Sequence, residues 1–73
     1  MKKKIVAVSG GFDPLHVGHV RMIQEASTLG DELIIFLNTD AWLKRKKGYA
    51  FMSWEERSEI LLSIKGVKEV YSA

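Results

Sequence analysis

The sequence predicts an α/β fold built on a parallel sheet. Two short apolar runs, Ile5-Val6-Ala7-Val8 and Leu33-Ile34-Ile35-Phe36-Leu37, bracket a segment with helical spacing. A second helical segment follows, then a third β-rich run, Val67 to Tyr71.

Each element has a local reason. Lys4 to Ser9 is β-branched-rich and stops at Gly10-Gly11, as a buried strand does. Gly10 to His16 is a loop, since Pro14 is incompatible with a sheet interior. Val17 to Leu29 is a helix carrying Val20, Ile23 and Ala26 on one stripe, flanked by Met22 and Leu29, with Gly30 as the residue past its end. Leu33 to Leu37 is a second buried strand. Asn38 to Gly48 is a connection with room for one helical turn after Asn38 or Thr39. Ser53-Trp54-Glu55-Glu56 matches the S-x-x-E capping box, so a helix runs from Ser53 to about Ile64. Its apolar face is Trp54, Ile60, Leu61 and Ile64, and Gly66 breaks it. Val67 to Tyr71 is more polar and suits a sheet edge.

The pattern is β-α-β-α-β, one domain over residues 1–73, with right-handed crossovers and strand order 3-2-1. This is a Rossmann-like half-domain. Two crossovers moving the same way put both helices on one face and leave the other bare. Yet both apolar runs are apolar at consecutive positions, which marks strands covered on both faces. Something is therefore expected to cover the sheet: a C-terminal half, a second copy in a homodimer or larger homo-oligomer, or the rest of a longer protein.

Composition narrows the partners. The chain has 11 basic and 9 acidic residues and no cysteine. Disulfides and thiol chemistry are excluded. Four of the bases are Lys44, Arg45, Lys46 and Lys47, and three more are Lys2 to Lys4. Two local patches on an otherwise mildly acidic chain favour one anionic ligand over nucleic-acid coating. Lys2 to Lys4 reads as an edge guard. The apolar runs are too short for a signal peptide core, about 7–15 residues, or a membrane span. No membrane role and a cytoplasmic setting are expected.

Chemistry concentrates in Ser9-Gly10-Gly11-Phe12-Asp13-Pro14-Leu15-His16-Val17-Gly18-His19. The stretch falls between the first strand and first helix, at the crevice where parallel sheets bind ligands. Gly10 and Gly11 allow close backbone approach. The N–H groups of the first helical turn suit an anion. His16 and His19 share a helix face, and Gly18 leaves room between them for a phosphate. Two imidazoles there can donate to phosphate oxygens and stabilise a phosphoryl-transfer transition state. Asp13, His16 and His19 could alternatively ligate zinc. The alternative readings are a solvated loop for the basic block, an ion pair with nearby glutamates for Arg57, and either core or a base-stacking surface for Trp54. Trp42 and Tyr49 could pack under the loop or touch ligand. The G-x-G-x-x-G and P-loop patterns are absent.

The stretch closely resembles the G-x-F-D-P-x-H-x-G-H signature of cytidylyltransferase-like nucleotidyltransferases. Asn38-Thr39-Asp40 with Lys44-Arg45 and Lys47-Gly48 is similar to heptose-phosphate adenylyltransferases. Ser53-Trp54-Glu55-Glu56-Arg57 is similar to glycerol-3-phosphate cytidylyltransferases. The resemblance covers about the first half of the family domain. It implies transfer of NMP from CTP or ATP to a phosphorylated alcohol or sugar, with pyrophosphate released and Mg2+ accompanying the triphosphate. It implies catalytic roles for His16, His19 and Lys44. It implies nucleotide contacts from Ser9, Gly10, Gly11, Phe12, Asp13, Gly18, Lys47 and Arg57. No protein-held metal is implied. The family's I-S-S-T-x-x-R-like segment has no counterpart in the 73 residues. Lys65, Lys68 and Gly11 stand where relatives often carry Arg, Asp and a hydroxyl or thiol residue. A non-catalytic phosphate-binding half-domain that self-associates is the alternative.

Overall fold

The computed structural model describes residues 2–73. The elements are β1 (Ile5–Gly10), α1 (Val17–Ser27), β2 (Glu32–Leu37), α2 (Asp40–Lys47), α3 (Trp54–Leu62) and β3 (Val67–Ser72). All strand pairs are parallel, and the sheet order is β1-β2-β3. The order expected from the sequence is 3-2-1, and the structure gives 1-2-3. From the opposite edge the two name the same neighbours, with β2 central.

The core lies on one side of the sheet. Leu33, Ile35 and Leu37 of β2 are fully buried against Ile23 of α1, Leu61 of α3, and Ile64 just beyond it. Alternate residues point the other way. Ile5, Phe36 and Tyr71 are 58%, 37% and 45% exposed there. The consecutive apolar pattern of the Ile5–Val8 and Leu33–Leu37 runs predicts two covered faces, but among the described residues only one is covered. The topology argument, which leaves one face bare, describes the structure.

Four local expectations need correction. First, Asp40–Lys47 is a full helix, so the basic block is not in a loop. Thr39 Oγ1 accepts from Trp42 N at 3.1 Å, and Gly48 ends the helix at φ 88°. The four bases sit at its C-terminal end, where the helix dipole favours cations. Second, α1 ends at Ser27 with Thr28 as its C-cap, and Gly30 is not a left-handed cap. A side chain at Gly30 would meet Lys4 O at 2.8 Å, so this glycine lets the chain close onto the start of β1. Third, Met22 and Leu29 are exposed. Fourth, Ile60 is exposed, while Arg57 and Ser58 occupy the buried stripe of α3 between Trp54 and Leu61. The 53–56 cap stands as expected, with Glu56 N donating to Ser53 Oγ at 3.1 Å.

At the end of the sheet away from the strand C-termini, Glu32 receives Lys3 at 2.7 Å and Lys68 at 2.9 Å. Lys68 thus joins Lys3 in neutralising Glu32 of β2. No helix is long and apolar enough to cross a membrane among the described residues.

Candidate functional site

The site forms where β1 and β2 end. Phe12 turns the chain with φ 50°, an uncommon value for a bulky residue, and its ring is buried in the core. That ring meets His19 edge-on at 5.1 Å. A Cβ at Gly10 would lie 3.1 Å from the Phe12 ring, and one at Gly11 3.0 Å from Leu43 Cδ2 of α2. The space these glycines leave is therefore filled by the chain itself, not held open for a ligand.

His16 and His19 cap each other. Gly18 N donates to His16 Nδ1 at 3.0 Å, and His16 N donates to His19 Nδ1 at 3.2 Å. This is a capping box made of two imidazoles, with His16 as N-cap of α1. The rings lie 3.9 Å apart. A neutral imidazole that accepts at Nδ1 carries its proton on Nε2. The backbone thus assigns both tautomers and leaves two Nε2–H donors for a ligand. A Cβ at Gly18 would sit 2.7 Å from His16 Cε1, so glycine makes room for the His16 ring rather than for a phosphate. Burial, then the charge of His16, pushes the His19 pKa below its ordinary value. The N–H groups of Gly18 and His19 are already spent, on His16 Nδ1 and His16 O. The imidazole donors, rather than those two amides, remain for an anion.

Asp13 is turned inward, with its side chain fully buried. It accepts from Phe51 N and Met52 N, each at 2.7 Å, and pairs with Lys47 Nζ at 3.0 Å. Lys47 Nζ also donates to Asp13 O at 2.6 Å. Burial raises the Asp13 carboxyl, but the Phe51, Lys47 and Met52 hydrogen bonds outweigh it and hold the pKa below its usual value. Asp13 and Lys47 therefore latch the 48–52 loop to the cradle, and the buried Asp13 carboxylate is not free for a nucleotide. Tyr49 and Phe51 form an exposed edge-on pair at 4.8 Å beside Lys47.

Arg57 is fully buried. Its Nε donates to Met52 O at 3.1 Å, its Nη1 to Gly11 O at 2.7 Å and to Asn38 O at 2.8 Å, and its Nη2 to Asp40 Oδ1 at 2.6 Å. A nucleotide cannot reach it in this arrangement. Neither expectation for Arg57, a ligand contact or a surface ion pair, describes it. Trp54 is core: it packs against the buried cluster and donates to Leu37 O at 3.2 Å.

Lys44 is exposed on α2, whose Leu43 packs at Gly11. Ser9 shares the open sheet face with Ile5 and Ala7 by strand alternation. The chain thus brings together Gly10 to Asp13, the histidine pair and Gly18, with α2 alongside. Sequence reasoning missed Asp40, the amides of Phe51 and Met52, and the capping role of His16. Of these, the two imidazoles three residues apart around the helix start could have suggested the cap.

Zinc held by Asp13, His16 and His19 does not fit. Both Nδ1 atoms and the carboxylate are committed, and among the described residues no group of three His, Asp or Glu could hold a metal.

Residues 7–73 match the cytidylyltransferase-like family. The chain is 45% identical over 71 residues to an FAD synthase from Thermococcus sibiricus, covering 94% of this chain and 48% of that protein. It is 44% identical over 70 residues to the bifunctional protein HldE of Aliarcobacter butzleri, covering 93% of this chain and 15% of that protein. The crystal structure of a lipopolysaccharide core biosynthesis protein from Thermoplasma volcanium superposes with TM-score 0.88 at 25% identity, over 99% of this chain and 59% of that one. The chain thus spans less than half the length of these two curated relatives. With residues 7–73 matched, nearly the whole chain, the chain belongs to the cytidylyltransferase-like family.

Proposed function

We propose that the chain is the nucleotide-binding part of a nucleotidyltransferase that moves NMP from CTP or ATP to a phosphorylated alcohol or sugar. The acceptor phosphate oxygen bonds to the α-phosphorus, the α–β phosphoanhydride bond breaks, and pyrophosphate leaves with the electron pair. The observation that carries this reading is the reciprocal histidine cap. It leaves two Nε2–H groups as donors at the strand-to-helix crevice. Donors fixed before charge develops favour the transition state over the ground state. His16 and His19 would bind and stabilise the triphosphate, and exposed Lys44 would neutralise it. Gly10, Gly11, Phe12 and Gly18 would shape the cradle.

Magnesium needs oxygen ligands. The nearby carboxylates are committed, Asp13 to Lys47 and Asp40 to Arg57. On this reading the cation arrives on the triphosphate, held by phosphate oxygens and water. The setting would be cytoplasmic, where nucleoside triphosphates are abundant.

The test is pyrophosphate release with CTP or ATP and a panel of sugar, polyol and other phosphate acceptors. Turnover with one pair is expected, falling at least about a hundredfold in His16→Ala or His19→Ala, the scale of losing one oxyanion-type donor. No release with any pair, and no binding of either nucleotide, sinks the proposal. A second reading, a non-catalytic phosphate-binding module that pairs with its own copy, is favoured by the apolar open sheet face. Self-association together with nucleotide binding but no turnover would select it.

A further inference from the structure

We infer that Arg57 is a positioning residue that locks the cradle, the end of β2 and the Lys44-bearing helix into one frame. The inference rests on the nucleotidyl-transfer reading for its functional meaning.

The guanidinium is buried, yet its partners all come from segments that border the site. Gly11 O is the carbonyl just before Phe12. Asn38 O is the first carbonyl after β2. Asp40 begins α2, and Met52 O belongs to the loop that Asp13 holds from the other side. A guanidinium is planar with donors at fixed angles, so it holds several acceptors in one geometry at once. A lysine offers a single point of attachment. α3 thus contributes no group to the ligand, but carries the one that fixes where the ligand's contacts stand.

The route to the histidines is short. Gly11 O is held by Arg57, the next residue is Phe12, and the Phe12 ring packs on His19. On the other arm, Asp40 ties α2 and hence Lys44 to the same guanidinium. Loosening Arg57 should free both arms together, before any nucleotide binds.

The experiment pairs nucleotide affinity with a readout that needs no nucleotide. Wild type, Arg57→Lys and Asp40→Asn are titrated with CTP and with ATP, each with Mg2+, by calorimetry. The His16 and His19 ring resonances are followed against pH by NMR in the free protein. Arg57→Lys is expected to weaken affinity at least tenfold. It should also bring the His19 titration back up toward that of an ordinary imidazole, with helix content retained. Asp40→Asn, which keeps the three carbonyl contacts, should shift both the same way by less. If Arg57→Lys does not fold, Asp40→Asn decides. Unchanged affinity and unchanged His19 titration in folded variants overturn the inference. So does lost affinity with an unchanged His19 titration, which would mean that Arg57 acts on the ligand directly. If wild type binds neither nucleotide, the nucleotidyl-transfer reading fails, while the His19 titration still decides whether Arg57 positions the pair.

Discussion

At the scale of single residues, the helix cap restricts the protonation of His19. His19 Nδ1 accepts from His16 N, and a proton there would break that bond. Burial and the neighbouring His16 charge keep His19 below its ordinary value of 6.5. The sign follows from linkage. Between the lowered folded value and 6.5, the unfolded chain binds the proton that the folded chain refuses. Stability from neutral His19 is therefore full above that window and declines as pH falls through it. Urea midpoints at pH 7.5 and 5.5 check this. His19→Asn keeps an acceptor near the Nδ1 position but does not titrate, so it should lose less stability on acidification than wild type. An equal loss in both would refute the linkage. Gly18 is the second sensitive residue. Its Cβ would displace the His16 ring, so Gly18→Ala should weaken CTP or ATP binding about tenfold, the worth of one misplaced hydrogen bond. Wild-type affinity in that variant would mean that the ring moves without consequence.

At the scale of elements, the sequence was most legible where a pattern stands on backbone chemistry alone. The strand runs, the Ser53 cap and the Gly10 to His16 loop all fall where local rules place them. In sequence α2 reads as a connection because only Leu43 of its eight residues is buried, leaving almost no stripe to detect. Its evidence lay in its ends, Thr39 before Asp40 and Gly48 after the bases. Gly48 holds φ 88° with open space around it, so Gly48→Ala should cost about 1 kcal/mol or more through backbone strain alone, visible as a lower urea midpoint. Gly48→Asn should recover part of that, since Asn tolerates this region. Equal stability of all three would show that the helix end relaxes freely. α3 failed differently. Arg57 stands where periodicity wants an apolar residue, so Ile60 was given the place instead. A buried arginine cannot be told from an exposed one by type; only its acceptors reveal it, and three of the four are carbonyls that no side-chain pattern encodes. For the same reason the site's residues were legible, but the division between those that face a ligand and those that hold the frame was not.

At the scale of the whole molecule, the chain is a slab with one finished side. Its accessible surface is 4906 Å², against about 4,600 Å² for a monomer of its mass. Its radius of gyration is 12.5 Å, against about 11 Å for a compact domain of its length. The excess has a location. Phe36 and Tyr71 are register partners on neighbouring strands, their rings lie 5.9 Å apart, and Ile5 is exposed on the same face at the level of Glu32. Glu69, opposite Ile34, places a charge on this face, while Lys3, Glu32 and Lys68 pair at one end of the sheet. Burying apolar surface gains about 25 cal/mol per Å², so two such faces attract each other in the absence of any other cover. Sedimentation of the 73-residue chain should therefore show a dimer or larger species at micromolar concentration. Phe36→Lys with Tyr71→Lys should return it to a monomer, because like charges then face each other across the contact. These positions lie on the face away from the core, so helix content should persist. A wild-type chain that sediments as a monomer, with dispersed amide resonances, would show that the open face is tolerated in water and that the attraction is too weak to matter.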